Sequence, residues 1–440
     1  MGQYAPGRPV GMTLPTTRLG RLATRARQDV GGRVVGLAAA VFVLTAALLG
    51  VRLSTRFVLP GETDLAHWGM RDFRDNVHRP VAGFLAGENP YDAARIRRED
   101  PARPPFGPYA PSTLLVHLPL GLVQFRTGAV LWFLLTLALT LALARLALLH
   151  AGLPATAAGV IALGTLLLWS RPGHWNLLLG QLAAELSVAA IVALLWARRR
   201  PALAGAALAV TTLKPSFGLP LAVVMLARRD LKALLVGVAI TLALNGISVA
   251  VLVGEAGGVR PFVASVMDTL DDFRVNPGNE PSNNTFRIDL TALIARQLGH
   301  APSPLATAGI AIGVLGVAAF ALDRVRRWRD REAAEQLGIA VAGLATLLWF
   351  YHMGYDALLL VPSLVALAAG RRRPWSTSPR VRIALAVLLA VPMVNYLATG
   401  TGIDWLGLSG GTRLITTSIN GAALAAAFAL VVALALQHEE

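Results

Sequence analysis

Apolar runs of about 20 residues, the length that crosses the hydrocarbon core of a bilayer, recur along the whole chain. Only helices and closed barrels satisfy their backbone hydrogen bonds in lipid, so runs of this length predict an all-α polytopic membrane protein. The first run, residues 34–59, is too long for the apolar part of a signal peptide and lacks a small-residue cleavage site. We therefore expect it to be a retained helix.

Clusters of arginine between the apolar runs set the predicted topology. Such clusters stay on the cytoplasmic side of a membrane. They lie at 198–201, 227–230, 323–332 and 370–375, and more arginines stand in residues 1–33. The path that keeps all of them inside has about twelve transmembrane helices, at 34–59, 128–149, 155–169, 177–197, 202–213, 215–226, 231–253, 303–322, 334–350, 357–369, 383–397 and 413–436.

This path divides the chain into a cytoplasmic basic arm (1–33), a single transmembrane domain (34–436) and a cytoplasmic tail (437–440). It places two long loops on the extracytoplasmic face: 60–111, which we expect to contain a short helix, and 254–302. Pro119 and Gly121 interrupt the segment 112–125, which predicts a short or re-entrant helix there.

Composition supports the membrane assignment and narrows the partners. The chain is 55% hydrophobic and 15% charged, which excludes a soluble domain. Its net charge of +15 comes from the arginine clusters, which contact anionic lipid, so we predict membrane lipid and no nucleic acid as a partner. There is no cysteine to form disulfides. The Ala- and Arg-rich, Lys-poor composition indicates a bacterium, and hence its plasma membrane.

Unusual polar residues gather on the predicted outer face. Ionisable groups at membrane depth are costly and usually line a cavity or a pathway, so each is a candidate site residue. The set comprises Asp64, Asp72, Asp75, His174, Asn176, Lys214, Asn283, Asn284, Arg287, Asp289, His352 and Asp356.

Two of these features suggest specific chemistry. Carboxylates just beyond the first helix, in RDFRDN (71–76), can have raised pKa values and act as general bases, although any one of them alone could be a solvated loop acid. Lys214 is one of only two lysines, and Pro215 after it breaks the helix. Its compact ammonium suits a phosphate, and the alternative is a lysine that snorkels to the interface.

Each of the two histidines in this set could belong to a site or could lie at the membrane interface. His352 and Asp356 are one helical turn apart and could share a face in a site, or His352 could be an ordinary interface histidine. His174 stands beside Trp175, which also fits an interfacial aromatic belt. No HxxxH, HExxH, GxGxxG or Walker pattern occurs, so we predict no metal site, no cofactor and no nucleotide site.

The order of several motifs resembles the glycosyltransferase-C superfamily, and within it the polyprenyl-phosphate-mannose-dependent mannosyltransferases of glycosyltransferase family 87. The resemblance rests on an acidic DF motif after the first helix, then FLAGENPYD (84–92), PYAPSTLLVHLPLGL (108–122), GQLAAELSVAAIVALL (180–195), LKPSFGLP (213–220), SNNTFRIDLTALIAR (282–296) and YHMGYDALLLVP (351–362). It spans most of residues 34–367. The chain departs from the family where RDNVHRP follows the acid and where Ser216 replaces the usual Gln after Lys-Pro.

The resemblance implies an inverting hexose transfer, with mannose as the expected sugar, from a polyprenyl phosphate to a lipid or glycan acceptor on the extracytoplasmic face. It selects Asp72 as the catalytic base, with Asp64 and Asp75 as alternatives. The predicted donor-phosphate and substrate-binding set is Lys214, His352, Asp356, Arg287, His174, Asn176, Gln181 and Tyr91. A transporter or lipid flippase is the competing hypothesis, and it would place charges mid-helix in two repeated halves.

Overall fold

The computed structural model describes residues 18–58, 67–99, 106–370 and 378–437. Regular structure in these ranges is helical, with isolated single-residue β-bridges that join Phe57 to Gly69 and Arg287 to Met353. The predicted all-α class is therefore confirmed for the described part of the chain.

The first half of the chain forms long apolar helices with short helices between them. In order these are α1 Arg18–Thr55, α2 Arg71–Phe73, a π-helical segment Arg74–His78, α3 Arg79–Leu85, α4 Ala93–Glu99, α5 Ser112–Val116, α6 Leu118–Gly121, α7 Phe125–His150, α8 Ala157–Trp169, α9 Arg171–Leu179, α10 Ala183–Trp196, α11 Pro201–Thr211 and α12 Pro215–Ala227. The predicted interruption of residues 112–125 is confirmed by the break between α5 and α6.

The second half continues in the same manner and adds three 3₁₀ segments. Its elements are α13 Leu231–Glu255, α14 Val259–Val275, 3₁₀ Pro277–Asn279, α15 Leu290–Leu298, α16 Pro304–Arg326, α17 Arg331–Trp349, 3₁₀ Gly354–Leu360, α18 Val361–Ala369, α19 Pro379–Val394, 3₁₀ Tyr396–Ala398, α20 Gly400–Trp405 and α21 Gly410–Gln437.

Five stretches in the described ranges are long and apolar enough to cross a membrane alone: Gly31–Thr55, Phe125–His150, Leu231–Glu255, Pro304–Arg326 and Gly410–Gln437. Together with several shorter apolar helices they make a multi-pass membrane protein. The count of twelve spans stays a prediction.

Capping residues and prolines explain where many helices begin. The side chains of Ser170, Asp289 and Ser303 accept hydrogen bonds from backbone N–H groups at the starts of α9, α15 and α16. Pro201 and Pro215 occupy the first positions of α11 and α12, where a missing N–H costs nothing. The short helices therefore have defined starts, which fixes the loops between them.

Helices α10 and α17 form the centre of the bundle, since most residues of each are buried. Around them, α11 and α13 approach closely at Gly205, where a Cβ atom would lie 2.6 Å from Cβ of Val236. Small residues allow membrane helices to pack by direct backbone contact in this way.

The structure differs from the sequence-based predictions in four places. The predicted helix 177–197 is two helices, because Gly180 takes a left-handed conformation (φ 73°) between α9 and α10. Helix α1 begins at Arg18, inside the predicted basic arm. The loop 254–302 contains α14 and α15, which were not predicted. His352 and Asp356 do not share an α-helix, since His352 precedes a 3₁₀ segment.

Candidate active site

The break between α9 and α10 is packed directly against α2, the helix that carries Asp72. The backbone N–H of Met70 donates to the carbonyl of Leu178 (2.8 Å). A Cβ atom on Gly180 would lie 2.5 Å from Cβ of Phe73 and 2.8 Å from Sδ of Met70. Glycine is therefore required at position 180 by both the close approach and the positive φ.

Gln181 follows this glycine and reaches Asp72. Its side-chain Nε2 donates a hydrogen bond to Oδ2 of Asp72. The backbone N–H of Gln181 donates to the carbonyl of Asn176 (3.0 Å), and Oδ1 of Asn176 accepts from the N–H of Ala184 (3.2 Å). Asn176 thus holds the helix break in shape, and Gln181 is the member of this group that contacts the carboxylate.

The two acids of the RDFRDN stretch have different surroundings. Burial raises the pKa of Asp72 to about 6, and the negative charge of Asp75 raises it as well. The hydrogen bond from Gln181 and the positive charges of Arg71 and Lys214 lower this pKa and offset part of the increase. Oδ1 of Asp72 has no hydrogen-bond partner among the described residues. Asp72 is half-buried and lines a cavity, so this oxygen is available to a substrate.

Asp75 is instead held by cations. It is buried, its Oδ1 is 2.7 Å from Nε of Arg74, and Arg71 and Arg79 lie within 3.8 Å. Its carboxylate oxygens are thus engaged by three guanidinium groups, whereas one oxygen of Asp72 has no such partner in the described ranges. Asp64, the other alternative, falls in residues 59–66, outside the described part of the chain.

Lys214 is buried at the start of α12 and pairs with an acid far along the sequence. Its Nζ donates to Oδ2 of Asp356 (2.7 Å) and lies 5.3 Å and 5.6 Å from the ring centres of Phe217 and Tyr355. A buried ammonium needs a counter-charge of this kind. The pairing keeps a cation at the wall of the cavity.

Asp356 is shared between Lys214 and His352. Its Oδ2 lies 3.0 Å from Nδ1 of His352 and also accepts from the N–H of Met353 (3.0 Å), while its buried Oδ1 has no partner in the described ranges. Nε2 of His352 lies 3.0 Å from the carbonyl of Ser216. Both ring nitrogens thus face acceptors, and His352 joins the loop after α17 to α12.

The loop after α14 is fixed to the same region by a short β-bridge. The N–H of Ile288 donates to the carbonyl of His352 (2.9 Å), and the N–H of Gly354 to that of Phe286 (2.7 Å). Arg287 donates to both oxygens of Asp289 (2.9 Å each). Burial disfavours the charged form of Asp289 and by itself would raise its pKa. The charge and the hydrogen bonds of Arg287 together outweigh this effect and hold the pKa of this carboxyl below its usual value.

Two adjoining cavities meet at Lys214. A polar chamber of about 740 Å³ contains Asp72, Gln181, and several asparagines and arginines. A largely apolar groove of about 1190 Å³ runs from the chamber between α12, α13, α14 and α16. The residues that line both are Gly107, Pro108, Tyr109, Lys214, Thr269, Phe273, Asn279 and Tyr351.

Tyr91 and Arg287 line the groove, and His352 and Asp356 lie behind Lys214. Tyr91 fixes the wall, because its hydroxyl donates to the carbonyl of Tyr109 (2.8 Å). His174 does not line either cavity. Its Nε2 accepts from Arg52 (2.9 Å), and its ring packs against Trp175 and Tyr396.

The sequence analysis missed several residues at the junction. Tyr351 has a left-handed backbone (φ 48°), which a tyrosine adopts only when its surroundings impose it, and its hydroxyl donates to Oδ1 of Asn279 (3.2 Å). Phe273 packs edge-on against Tyr351 (4.9 Å between ring centres). Tyr351 directly precedes His352 in the motif YHMGYDALLLVP (351–362), and this position could have identified it. Phe273 could have been identified from the helical spacing of apolar residues in 259–273.

Comparison with known proteins gives one match. The family model for glycosyltransferase family 87 matches residues 108–350, which include Gln181, Lys214 and Arg287. No curated protein and no solved structure matches the chain. The matched region covers more than half of the 440 residues, and the multi-pass helical fold agrees with it. The chain is thus a membrane glycosyltransferase, and it belongs to glycosyltransferase family 87.

Proposed function

We propose that this glycosyltransferase moves a hexose, with mannose as the expected sugar, from a polyprenyl phosphate to a lipid or glycan acceptor. The observation that carries the proposal is the junction of an apolar groove with a polar chamber at a buried lysine. A polyprenyl-phosphate sugar has the same order of parts: an apolar chain, an anionic phosphate and a polar sugar. Ligand cavities are mostly apolar with a few placed polar groups, as here.

The groove suits the polyprenyl chain. Its walls include Leu219 of α12, Val249 of α13, Phe262 of α14, and Ile312 and Leu315 of α16. A chain of isoprene units gains stability there by removing its apolar surface from contact with water or headgroups. This placement directs the phosphate toward Lys214 and the sugar into the chamber.

Lys214 is the proposed partner of the phosphate. Charge that develops on the leaving phosphate is stabilised most by a preorganised cation in a site that excludes water. Asp356 and His352 hold the ammonium in place before the donor arrives. Tyr109, Tyr351 and Asn279 line both cavities at the same junction, and their side chains are the proposed further contacts of the donor.

Asp72 is the proposed general base. The acceptor oxygen attacks the anomeric carbon, Asp72 takes the proton of that hydroxyl, and the bond from the anomeric carbon to the phosphate oxygen breaks with its electron pair on the polyprenyl phosphate. One carboxylate is sufficient for a single displacement with inversion. A base with a pKa of about 6 is ionised at neutral pH and remains basic enough to accept the proton.

The proposed setting is the plasma membrane of a bacterium, with the site on the extracytoplasmic face. The arm 1–33 and the tail 437–440 would be cytoplasmic, and the loops 60–111 and 254–302 would frame the site in the single domain 34–436. In support, the described site residues come from these two loops and from helix ends that the arginine clusters place opposite the cytoplasm.

The test is transfer by the purified protein in lipid nanodiscs, with polyprenyl-phosphate mannose as donor and lipid-linked or free oligosaccharides as acceptors. We expect transfer from the lipid phosphate and none from a nucleotide sugar. The product should have the anomeric configuration opposite to that of the donor, as read by NMR. Transfer from the nucleotide sugar would overturn the donor assignment, and a retained configuration would overturn the single displacement.

A further inference from the structure

Helix α14 (Val259–Val275) leaves the membrane helix α13 through a tight turn. Gly257 and Gly258 form this turn with φ values of 75° and 137°, which favour glycine. Because α13 is long and apolar enough to cross the bilayer, its end at Glu255 lies near a membrane boundary. Helix α14 therefore starts at the membrane surface.

One face of α14 is fixed to the protein. Phe262 and Thr269 are buried, and Thr269 donates to the carbonyl of Tyr91 (2.7 Å). Ser265 accepts from Nδ2 of Asn89 (2.8 Å). Asp272 pairs with Arg97 of α4, and Val266, Leu270 and Phe273 line the apolar groove. This face is a wall of the groove, held by contacts along the helix.

The adjoining face is apolar but uncovered. Val259, Val263 and Met267 are 66%, 51% and 48% exposed. Four-residue spacing places three side chains within roughly 80° of arc on a helix, so they form one stripe beside the groove-lining residues. The exposed charged residues Arg260, Asp268 and Asp271 lie farther around the helix. The apolar sector of α14 is thus covered by protein on one half only.

We propose that the stripe Val259–Val263–Met267 is immersed in the acyl-chain boundary of the bilayer, so that α14 is an interfacial helix with membrane lipid on one side and the groove on the other. Amphipathic helices whose apolar face lies beside a charged face bind in the plane of the interface in this way. The adjoining helix α13 supports this occupant, since it exposes Leu235, Leu242 and Ile247 as a lipid-facing helix does.

The groove itself reaches the surface on the opposite wall. Leu219 of α12 and Ile312 of α16 line the groove and are 56% and 71% exposed. A lipid chain in the groove would therefore be continuous with the bilayer, and α14 would form its outer rim. This role of α14 rests on burial and position in the fold, and it holds whatever the sugar donor is.

The absence of cysteine from the sequence allows a direct test. Val263→Cys and Asp268→Cys, each with a nitroxide label in nanodiscs, compare the two faces of the same helix. We expect the ratio of oxygen to water-soluble nickel-chelate accessibility to be about threefold or more higher at position 263 than at position 268. Leu242→Cys on α13 provides the lipid-exposed reference, and Val259→Cys repeats the comparison with Asp268→Cys, which lies on the opposite side of the helix.

Equal accessibility at 263 and 268, with both labels open to the nickel chelate, would overturn the proposal. Two labels at position 263 coupled within one particle would show that a second copy of the chain covers the stripe, which would also overturn it. Thermal unfolding of each labelled variant confirms that the comparison is made on folded protein.

Discussion

Gly180 touches Phe73 so closely that a Cβ atom on the glycine would lie 2.5 Å from that of the phenylalanine. This contact joins the break between α9 and α10 to the helix that carries Asp72. It is the structural reason that Gln181 reaches the carboxylate across more than a hundred residues of sequence.

Gly180→Ala should therefore displace α2 and reduce sugar transfer at least about tenfold. The left-handed backbone alone costs a non-glycine residue about 1–2 kcal/mol, and the steric overlap with Phe73 adds to it. Transfer rate and thermal unfolding report the two effects. Gly246→Ala on α13 is the matched control, because nothing lies within 4 Å of that position. If Gly180→Ala transferred sugar at the wild-type rate, the assigned contact would be contradicted.

Gln181→Leu should slow transfer through Asp72. A hydrogen bond to a charged group contributes about 1.5–3 kcal/mol, so kcat should fall on the order of 10- to 100-fold with little change in KM for the donor. The hydrogen bond favours the ionised carboxylate, so its loss should move the acidic limb of the pH–rate profile to higher pH. An unmoved limb would indicate that Gln181 binds substrate instead. In the Asp72→Asn variant, the addition of Gln181→Leu should have almost no further effect on transfer.

Lys214→Met should lower kcat by about 10²–10³, as loss of a preorganised charge stabiliser does. It removes the cation at the junction of the two cavities and leaves Asp356 buried with a weaker partner. The measurement is single-turnover transfer alongside binding of the donor lipid. Lys232→Met is the control, because Lys232 is the other lysine of the chain and is exposed on α13. Equal activity of both variants would exclude the proposed role of Lys214.

Ala311→Trp should obstruct the apolar groove. Ala311 lines it on α16, whereas the exposed Ala306 on the same helix does not. We expect Ala311→Trp to raise KM about tenfold for a long-chain polyprenyl donor and much less for a donor with a short lipid, since less apolar surface is then removed from water. Ala306→Trp should behave as wild type with both. The same effect on both donors would place the lipid elsewhere.

The charged members of the candidate site could be proposed from the sequence for a physical reason. In a chain that is 55% hydrophobic, Asp72, Lys214, His352 and Asp356 stand out as groups whose burial is costly. Their pairing was not predictable, because Lys214 and Asp356 are 142 positions apart and meet only when α12 packs beside the loop after α17. His174, which stood out equally, pairs with Arg52 away from both cavities.

The helix break and α14 show where the pattern was insufficient. Gly180 is one of 42 glycines, and nothing local marks it as the residue that faces Phe73. The apolar residues of α14 do follow a helical spacing, but the charges among them give the segment the appearance of a polar loop. Its position beside the groove depends on contacts with Asn89, Tyr91 and Arg97, which only the folded chain brings together.

The pH–rate profile of transfer, measured for wild type, Asp72→Asn and Asp75→Asn, tests the central claim most directly. Wild-type kcat/KM should fall as pH decreases through about 6, because protonation of Asp72, whose pKa is raised by burial, removes the base. Asp72→Asn should lose about 10²–10⁴ in rate and the limb near pH 6 with it. Asp75→Asn should keep the limb but move it to lower pH, because the charge of Asp75 raises the pKa of Asp72. Asp64→Asn, made in parallel, should keep the limb too. Undiminished transfer by Asp72→Asn, or loss of the limb in Asp64→Asn instead, would contradict the assignment of Asp72 as the base.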